Sequence, residues 1–432
     1  MADLLRLYSG KSWYPKFNLK GISMAKALKT YRDVGQKAMA EFMIFQTTKQ
    51  LNVDVVWGQG KIIDKNTVEV DGKRYSGKAL VIGTGSRPTL PDIPGQNLKG
   101  VMTYIDHPEI RKDPKRLVVI GGGKIGMSKA AMFRAFGIDV TVLARSSWLP
   151  YLDKDVREFV FRNLAWRKVK IHERVDVKEI RGKGKVESVV AEVNGKKRVF
   201  PCDAVMLAVG LTPNSEIARP LGVQIGEKNE IVVDERMRTS VPGVFAVGDV
   251  VGPPYFMAIA RKGGMVAAKN MSGQDAKLDR TFVPEHIYLP PLEATYVGLT
   301  EEEARKQCKN VVVVKAPVGE RPKNIKPEQY KPGYSGSILP ISGRMHTINL
   351  LYYGKNMQGM LKAVIDADTR KYLGFHHVGD GAKVSFQYLS YLLKIGFTVD
   401  QMAEQNEIFL NAEHFIQLTR LIGGYKELID LC

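Results

Sequence analysis

The run VVIGGGKIGM, residues 118 to 127, decides how this chain folds. Three apolar residues lead into Gly121, Gly122 and Gly123, and a fourth glycine follows at 126. A strand that turns sharply into a helix has this pattern. In GxGxxG the first glycine permits the tight turn, the second lets the backbone approach a phosphate, and the third lets helix and strand pack closely. Gly121, Gly123 and Gly126 take those places, and the unpaired N–H groups that open such a helix suit the pyrophosphate of a dinucleotide.

Working outward, a helix over about residues 126–137 and a strand over 139–144 complete a βαβ unit on a parallel sheet. The second strand, DVTVLARSS (139–147), bears on which dinucleotide is taken. An NADH site usually presents Asp or Glu at its end, to accept the ribose 2′-hydroxyl. Here that place is Ala144, followed by Arg145 and Ser146, a cation and a hydroxyl suited to a 2′-phosphate, so NADPH is expected over NADH.

Upstream, residues 22–51 have helix-forming composition with Ser23 as N-cap. β-patterned runs follow at VDVVW (53–57), KIID (61–64), TVEV (67–70) and KALVIGTGS (78–86), with a turn at Asp71-Gly72 and a proline-rich connector at 86–95. Downstream, VFAVGDV (244–250) reads as a strand ending in Gly-Asp, and a helix is predicted over 257–271. Beyond about residue 282 the texture is α+β, with strands at NVVVVKAPV, HTINLLYY and GMLKAVID and helices near 382–395 and 412–422. The polar, proline-rich stretch 318–344 is long enough to be a lid or binding loop.

With 432 residues, 44% hydrophobic and 25% charged, the chain has room for two to four packed domains. No apolar run approaches the roughly 18–20 residues of a membrane span, and the first twenty residues lack a signal-like apolar core. A cytoplasmic protein is expected. Cys202, Cys308 and Cys432 form no CxxC or CxxxxC pair, so the sequence encodes neither a metal knuckle nor a local redox disulfide. His376 and His377 are adjacent, but alternation along a strand sends them to opposite faces, and no metal site is expected. The formal charge of +19 favours anionic partners, yet lysines and arginines are spread along the chain without interleaved aromatics, so a dedicated nucleic-acid site is not expected.

Taken together, these motifs resemble the flavin-dependent pyridine nucleotide–disulfide oxidoreductases, the family of dihydrolipoamide dehydrogenase, glutathione reductase and mercuric reductase. ALVIGTGSRPTLPDIPG is similar to the family's Ala-Thr-Gly connector, GGGKIG to its nicotinamide loop, and MLAVGLTPNSE, with Gly210, to its Ala-x-Gly-Arg-x-Pro-Asn segment. VPGVFAVGDV resembles the flavin Gly-Asp motif, and IYLPPLEATYVGLTEEEA with YLGFHHVGDGA resembles the dimerisation domain. The resemblance implies an α/β chain of FAD/NAD(P)-binding Rossmann-like domains followed by an α+β C-terminal dimerisation domain. Its divisions are expected at 1–115 and 237–281 for two parts of the flavin domain, 116–236 for the nicotinamide domain, and 282–432 for dimerisation.

The same resemblance implies FAD and NADPH (or NADH) as cofactors, with Thr84, Gly85, Gly248 and Asp249 at the flavin dinucleotide, Gly60 beside its adenine, and Gly121, Gly123, Gly126, Arg145 and Gly210 at the nicotinamide cofactor. Hydride would pass between nicotinamide and flavin in a homodimer, and onward to a disulfide, a quinone or another small-molecule electron acceptor.

Departures from the family's pattern are equally visible. Its N-terminal GxGxxG and the CxxxxC disulfide are absent, which reads as a late start of the chain; the alternative is a non-catalytic nucleotide-binding dimer that has lost FAD. Lys124 replaces a bulky residue within the loop, Ser128 replaces an acidic one, and Leu211 stands for the arginine of Ala-x-Gly-Arg. The family's His-Pro-Thr-x-x-Glu becomes EIFLNAEHFIQL, with Asn411 or Ala412 in the histidine's place, His414 nearby and a single terminal Cys432, so no catalytic residue is assigned.

Overall fold

The computed structural model describes residues 23–35, 38, 48, 51–290, 292–319, 358–379 and 382–403. At its start α1 (Met24–Thr30) is capped by the Ser23 side chain, which accepts from the Lys26 amide. Asp113 adds a second cap, accepting from the amides of Met24 and Ala25 at 3.0 and 2.7 Å. A π-helical turn, Tyr31–Gly35, continues it, and most of the rest of the helix expected to residue 51 lies outside the described residues.

The VDVVW stretch is not a strand. Val53, Val55, Val56 and Trp57 are all exposed, and the first ladder begins only afterwards, in the antiparallel meander β1 (Gly60–Asp64), β2 (Thr67–Val70) and β3 (Lys73–Ser76). Asp71 and Gly72, both at positive φ (50° and 81°), close its second hairpin. Two short strands follow, β4 (Leu80–Ile82) and β5 (Ser86–Pro88).

A parallel five-stranded sheet is then built from β6 (Val101–Thr103), β7 (Arg116–Ile120), β8 (Asp139–Leu143), β9 (Lys170–His172) and β13 (Ala204–Leu207), in the order β6-β13-β7-β8-β9. The glycine turn joins β7 to α2 (Lys124–Ala135), and α3 (Lys154–Trp166) crosses from β8 to β9. Between β9 and β13 lies an antiparallel sheet of β10 (Val175–Arg181), β11 (Ser188–Val193) and β12 (Lys196–Pro201). Alternation along β7 sorts its side chains: Leu117 and Val119 join Met127, Ala130 and Phe133 of α2, while Val118 and Ile120 face Val189, Ala191 and Cys202 of the antiparallel layer.

From β13 the chain returns through β14 (Leu211–Pro213), antiparallel to β5, and reaches β15 (Val244–Ala246), parallel to β4. Helix α4 (Met257–Met271) follows, at the predicted bounds. The last unit is an antiparallel sheet in the order β16-β17-β20-β19-β18, with β16 Glu285–Leu289, β17 Leu292–Gly298, β18 Val311–Gly319, β19 Gln358–Asp366 and β20 Tyr372–Val378. The capping box of Thr300 and Glu303 starts α5 (Glu301–Gln307) within it. Against one face of this sheet Phe386, Leu389 and Leu393 of α6 (Ala382–Lys394) pack on Leu361, Ala363 and Phe375, and α7 (Val399–Ala403) ends the described chain. Ile287 and Leu289 on β16 share a core with α2, so the helix that follows the glycine turn is also the seat of the C-terminal sheet. The expected strand HTINLLYY, the helix at 412–422 and most of the 318–344 loop lie outside the described residues.

Candidate dinucleotide site

Each glycine of the turn meets a different demand. Gly121 has φ +121°, and a Cβ there would run into the carbonyl of Ala208, which β13 brings alongside. A Cβ on Gly126 would collide with the Gly121 carbonyl, so the helix can lie this close to the turn only without a side chain. Gly122, which the motif leaves free, is constrained as well: its Cβ would sit 2.8 Å from that of Ala144. Gly123 is the exception, with nothing within 4 Å of its ideal Cβ. It is the N-cap of the 12-residue helix α2 and supplies no side-chain cap to the first amides.

Gly210 (φ +139°) belongs to the same end of the sheet, two residues beyond Ala208, and its carbonyl accepts from the Thr89 amide at 3.0 Å. Arg145 is exposed, directly after the buried Ala144 at the end of β8. The fingerprint residues Gly121, Gly123, Gly126, Arg145 and Gly210 are thus gathered at the C-terminal ends of β7, β8 and β13, where ligands of open α/β sheets sit.

A second group forms at the ends of β4 and β15. Gly85 and Gly248 both take positive φ (68° and 77°), and Asp249 accepts from the Ser86 hydroxyl at 2.8 Å, tying the two loops together. Ser86 was legible only as part of the GTGS run. Thr84 is engaged differently from a free hydroxyl: it donates to the Asn214 carbonyl at 2.7 Å, and the Asn214 side-chain Nδ2 returns a bond to the Thr84 carbonyl at 3.0 Å. Beside it Arg87 pairs with Glu216 at 2.7 Å, and that hydrogen bond holds the Glu216 carboxyl down at about 2. Burial, then the nearby Asp249 carboxylate, pushes the Tyr104 and Tyr255 phenols up. Gly60 stands apart in β1, opposite Val70, where a Cβ would make only ordinary contact with Val68 at 3.7 Å. The glycine that this hairpin demands is Gly58, at φ +150° and crowded by Val70 and Asp71.

The two departures within the loop both turn toward the C-terminal sheet. Lys124 forms an ion pair with Glu285 of β16, which also accepts from the Tyr296 hydroxyl, and Ser128 donates to the Tyr288 carbonyl. The Lys124 ammonium lies over the rings of Phe256 (3.9 Å), Tyr151 (4.6 Å) and Tyr296 (5.9 Å). Burial pulls this lysine down and Glu285 opposes it. One residue beyond Ser128, Lys129 is held at about 8 by burial, with its nitrogen 3.2 Å from His107 Nε2. His107 Nδ1–H donates to the Tyr104 carbonyl at 2.6 Å, which leaves Nε2 as the acceptor.

Farther along the same interface, Lys362 of β19 is fully buried and donates to Asp153 at 2.8 Å, Asp155 at 2.6 Å and Glu301 at 2.8 Å. Burial disfavours its charge, but the three carboxylates more than compensate and hold it above its ordinary range. Burial likewise opposes ionisation of Asp153, Asp155 and Glu301, and hydrogen bonds from lysine hold all three below the usual carboxylate range. His376 and His377 do face opposite sides of β20, the first stacked on Tyr296 and the second on Phe386. Among the described residues no group of histidine, cysteine and acidic side chains is arranged to hold a metal. Cys202 is buried, with its thiol pushed up to about 12 by burial and Asp203; Cys308 is pushed up by burial, then by Asp366 and Asp368. Neither is a thiolate at neutral pH. No described helix is long and apolar enough to cross a membrane. His414, Asn411, Ala412 and Cys432 lie outside the described residues.

Residues 15–274 match the model of the pyridine nucleotide-disulphide oxidoreductase family, and residues 283–411 match that family's dimerisation domain. A mercuric reductase from Lysinibacillus sphaericus is 30% identical over 376 residues, covering 86% of this chain and 64% of that protein. A dihydrolipoyl dehydrogenase from Thermus scotoductus is 31% identical over 359 residues, 81% of this chain and 71% of that protein. The chain thus spans less than two thirds of the length of the mercuric reductase it matches. The HOCl-induced flavoprotein disulfide reductase RclA from Escherichia coli shares the fold, with a TM-score of 0.76 at 24% identity over 94% of this chain and 87% of that one. The chain belongs to the pyridine nucleotide-disulphide oxidoreductase family, and carries its dimerisation domain.

Proposed function

We propose that this family member is a flavin-dependent NAD(P)H oxidoreductase, a cytoplasmic homodimer in which hydride passes between NADPH and FAD, with the electron acceptor beyond the flavin unassigned. The observation that carries this reading is the asymmetry of the turn: Gly121 and Gly126 are hemmed in by packing, while Gly123 has open space beside it and leaves the start of α2 without a side-chain cap. Nicotinamide and flavin would supply the redox chemistry, and the protein would bind and orient them.

In this reading the α2 amides hold the nicotinamide pyrophosphate and Arg145 takes the 2′-phosphate, with Gly210 keeping the return loop close. Asp249, oriented by Ser86, accepts from a hydroxyl of the flavin dinucleotide, and Gly85 and Gly248 keep side chains out of its path. The reciprocal Thr84–Asn214 bonds latch the nicotinamide unit to the flavin unit. Gly60 is assigned to the adenine side on the resemblance alone. The final acceptor is a disulfide, a quinone or another small oxidant, and the raised Cys202 and Cys308 thiols argue against either cysteine as the nucleophile.

Purified full chain tests the proposal by its absorbance near ~450 nm, where bound flavin is yellow, and by titration with NADPH and NADH. Yellow protein that NADPH bleaches under anaerobic conditions is the expected result. Colourless protein that still binds NADPH supports the non-catalytic dimer, and protein that binds neither cofactor sinks both readings. Arg145→Glu is expected to weaken NADPH more than NADH; equal losses would remove the assignment of NADPH.

A further inference from the structure

We propose that Arg174, which no sequence motif singles out, is a second specificity-determining residue of the nucleotide site, paired in space with Arg145 to take the adenosine 2′-phosphate. The inference rests on the NADPH reading above and adds a residue to it. Its basis is how the ends of β8 and β9 are joined. The two strands are parallel neighbours, with Leu143 beside His172. Past the last paired residues the chains stay stitched together: the Ala144 amide donates to the His172 carbonyl at 2.8 Å, and the Val175 amide donates to the Ala144 carbonyl at 3.0 Å. The segment His172–Val175 therefore lies against Ala144, and Arg145 and Arg174 leave the same edge of the sheet.

Two further features fit a built site. Arg174 is held at φ +55°, a conformation that a long side chain adopts only at a cost. It lies between two anchored neighbours: Glu173, which accepts from the Trp148 amide at 3.1 Å, and Val175, whose side chain is buried. The Glu173 bond also ties the loop that carries Arg145 to the segment that carries Arg174.

The charges around this edge are also sorted. Lys170 pairs with Asp139, Lys178 with Asp176 and Glu192, and Arg181 with Glu179. Among the described residues Arg145 and Arg174 are exposed and neither guanidinium has a carboxylate partner. Two unpaired guanidiniums at the end of a nucleotide-binding sheet form a receptor for a dianion, with the fork geometry that phosphate favours.

The test uses the full chain and two nucleotides that differ only in the group at issue, 2′,5′-ADP and 5′-AMP, titrated calorimetrically. Arg174→Asn removes the charge while keeping a residue that tolerates the left-handed conformation, and Arg174→Glu reverses it. The wild-type chain is expected to bind 2′,5′-ADP at least about ten-fold more tightly than 5′-AMP, as charge-assisted bonds to phosphate would give. Arg174→Asn should lose about ten-fold on 2′,5′-ADP, with less than about two-fold change on 5′-AMP, and Arg174→Glu should lose more. A wild-type chain without preference overturns the NADPH reading itself. A preference that survives in Arg174→Asn and Arg174→Glu, or equal losses on both nucleotides with an unchanged melting temperature, overturns the role of Arg174 and leaves that reading standing.

Discussion

Replacing Lys362 by methionine is expected to destabilise the chain by about 3–5 kcal/mol at pH 7, the range for removing one partner of a buried ion cluster. The structure says where the loss falls. Asp155 keeps Lys315 at 2.7 Å and Glu301 keeps Arg305 at 2.9 Å, and both carboxylates are partly exposed. Asp153, 2% exposed, would retain only the amides of Asp155 and Glu301, at 3.0 and 3.2 Å. The cost therefore centres on one buried charge.

Its pH dependence has a definite sign. In the wild type the three carboxylates titrate below their unfolded values, so their contribution is complete above about pH 4–5 and is lost as the pH falls through the folded values. Without the lysine, burial raises Asp153, and its protonation relieves the variant as the pH falls. The difference between the two proteins should accordingly shrink toward pH 4.5, by about 1.4 kcal/mol for each unit by which the carboxyl is raised. Scanning calorimetry across pH 4.5–7.5 reads it as a melting temperature lowered by about 6–10 °C at pH 7, at about 2 °C per kcal/mol for a long chain. Adding Asp153→Asn should recover most of the loss. A deficit under about 1 kcal/mol, a deficit independent of pH, or no rescue by the asparagine would each refute the reasoning.

Two other substitution sets probe the turn. Gly123→Ala meets no neighbour, so its melting temperature should stay within about 2 °C of wild type while NADPH affinity falls about ten-fold or more; Gly126→Ala should instead lower stability by about 2 kcal/mol or more, because its methyl meets the Gly121 carbonyl. Identical stability profiles would show that the division of labour is wrong. For Lys124→Met, Glu285→Gln and the double variant, denaturant midpoints should give a coupling energy of about 1–2 kcal/mol, as a half-buried, three-ring-caged ammonium predicts; additivity would reduce the pair to a surface contact.

How much was legible follows from the range over which each signal acts. The turn, α2, β8 and α4 are specified by residues a few positions apart, and the predicted bounds agree with the structure to within a residue or two. VDVVW misled because alternation states a preference, whereas a strand needs a ladder, and the described meander begins only at Gly60. Lys124 and Ser128 stood out as unusual, but their partners Glu285 and Tyr288 lie about 160 positions away and no local pattern names them. The Lys362 cluster was invisible for the same reason, with Asp153, Asp155 and Glu301 supplied by two other elements. The opposite faces of His376 and His377 were legible because strand alternation is local.

Helix α2 starts at the glycine turn and, through Lys124 and Ser128, keeps a grip on β16. That makes it a lever with its fulcrum inside the C-terminal sheet. A nucleotide that shifts Lys124 at the first turn of α2 must work against Glu285, and any event in the C-terminal sheet that moves Glu285 must act back on nucleotide affinity by the same factor. Under the function proposed above, cofactor occupancy and the seating of α2 on the C-terminal sheet become a single equilibrium read from two ends.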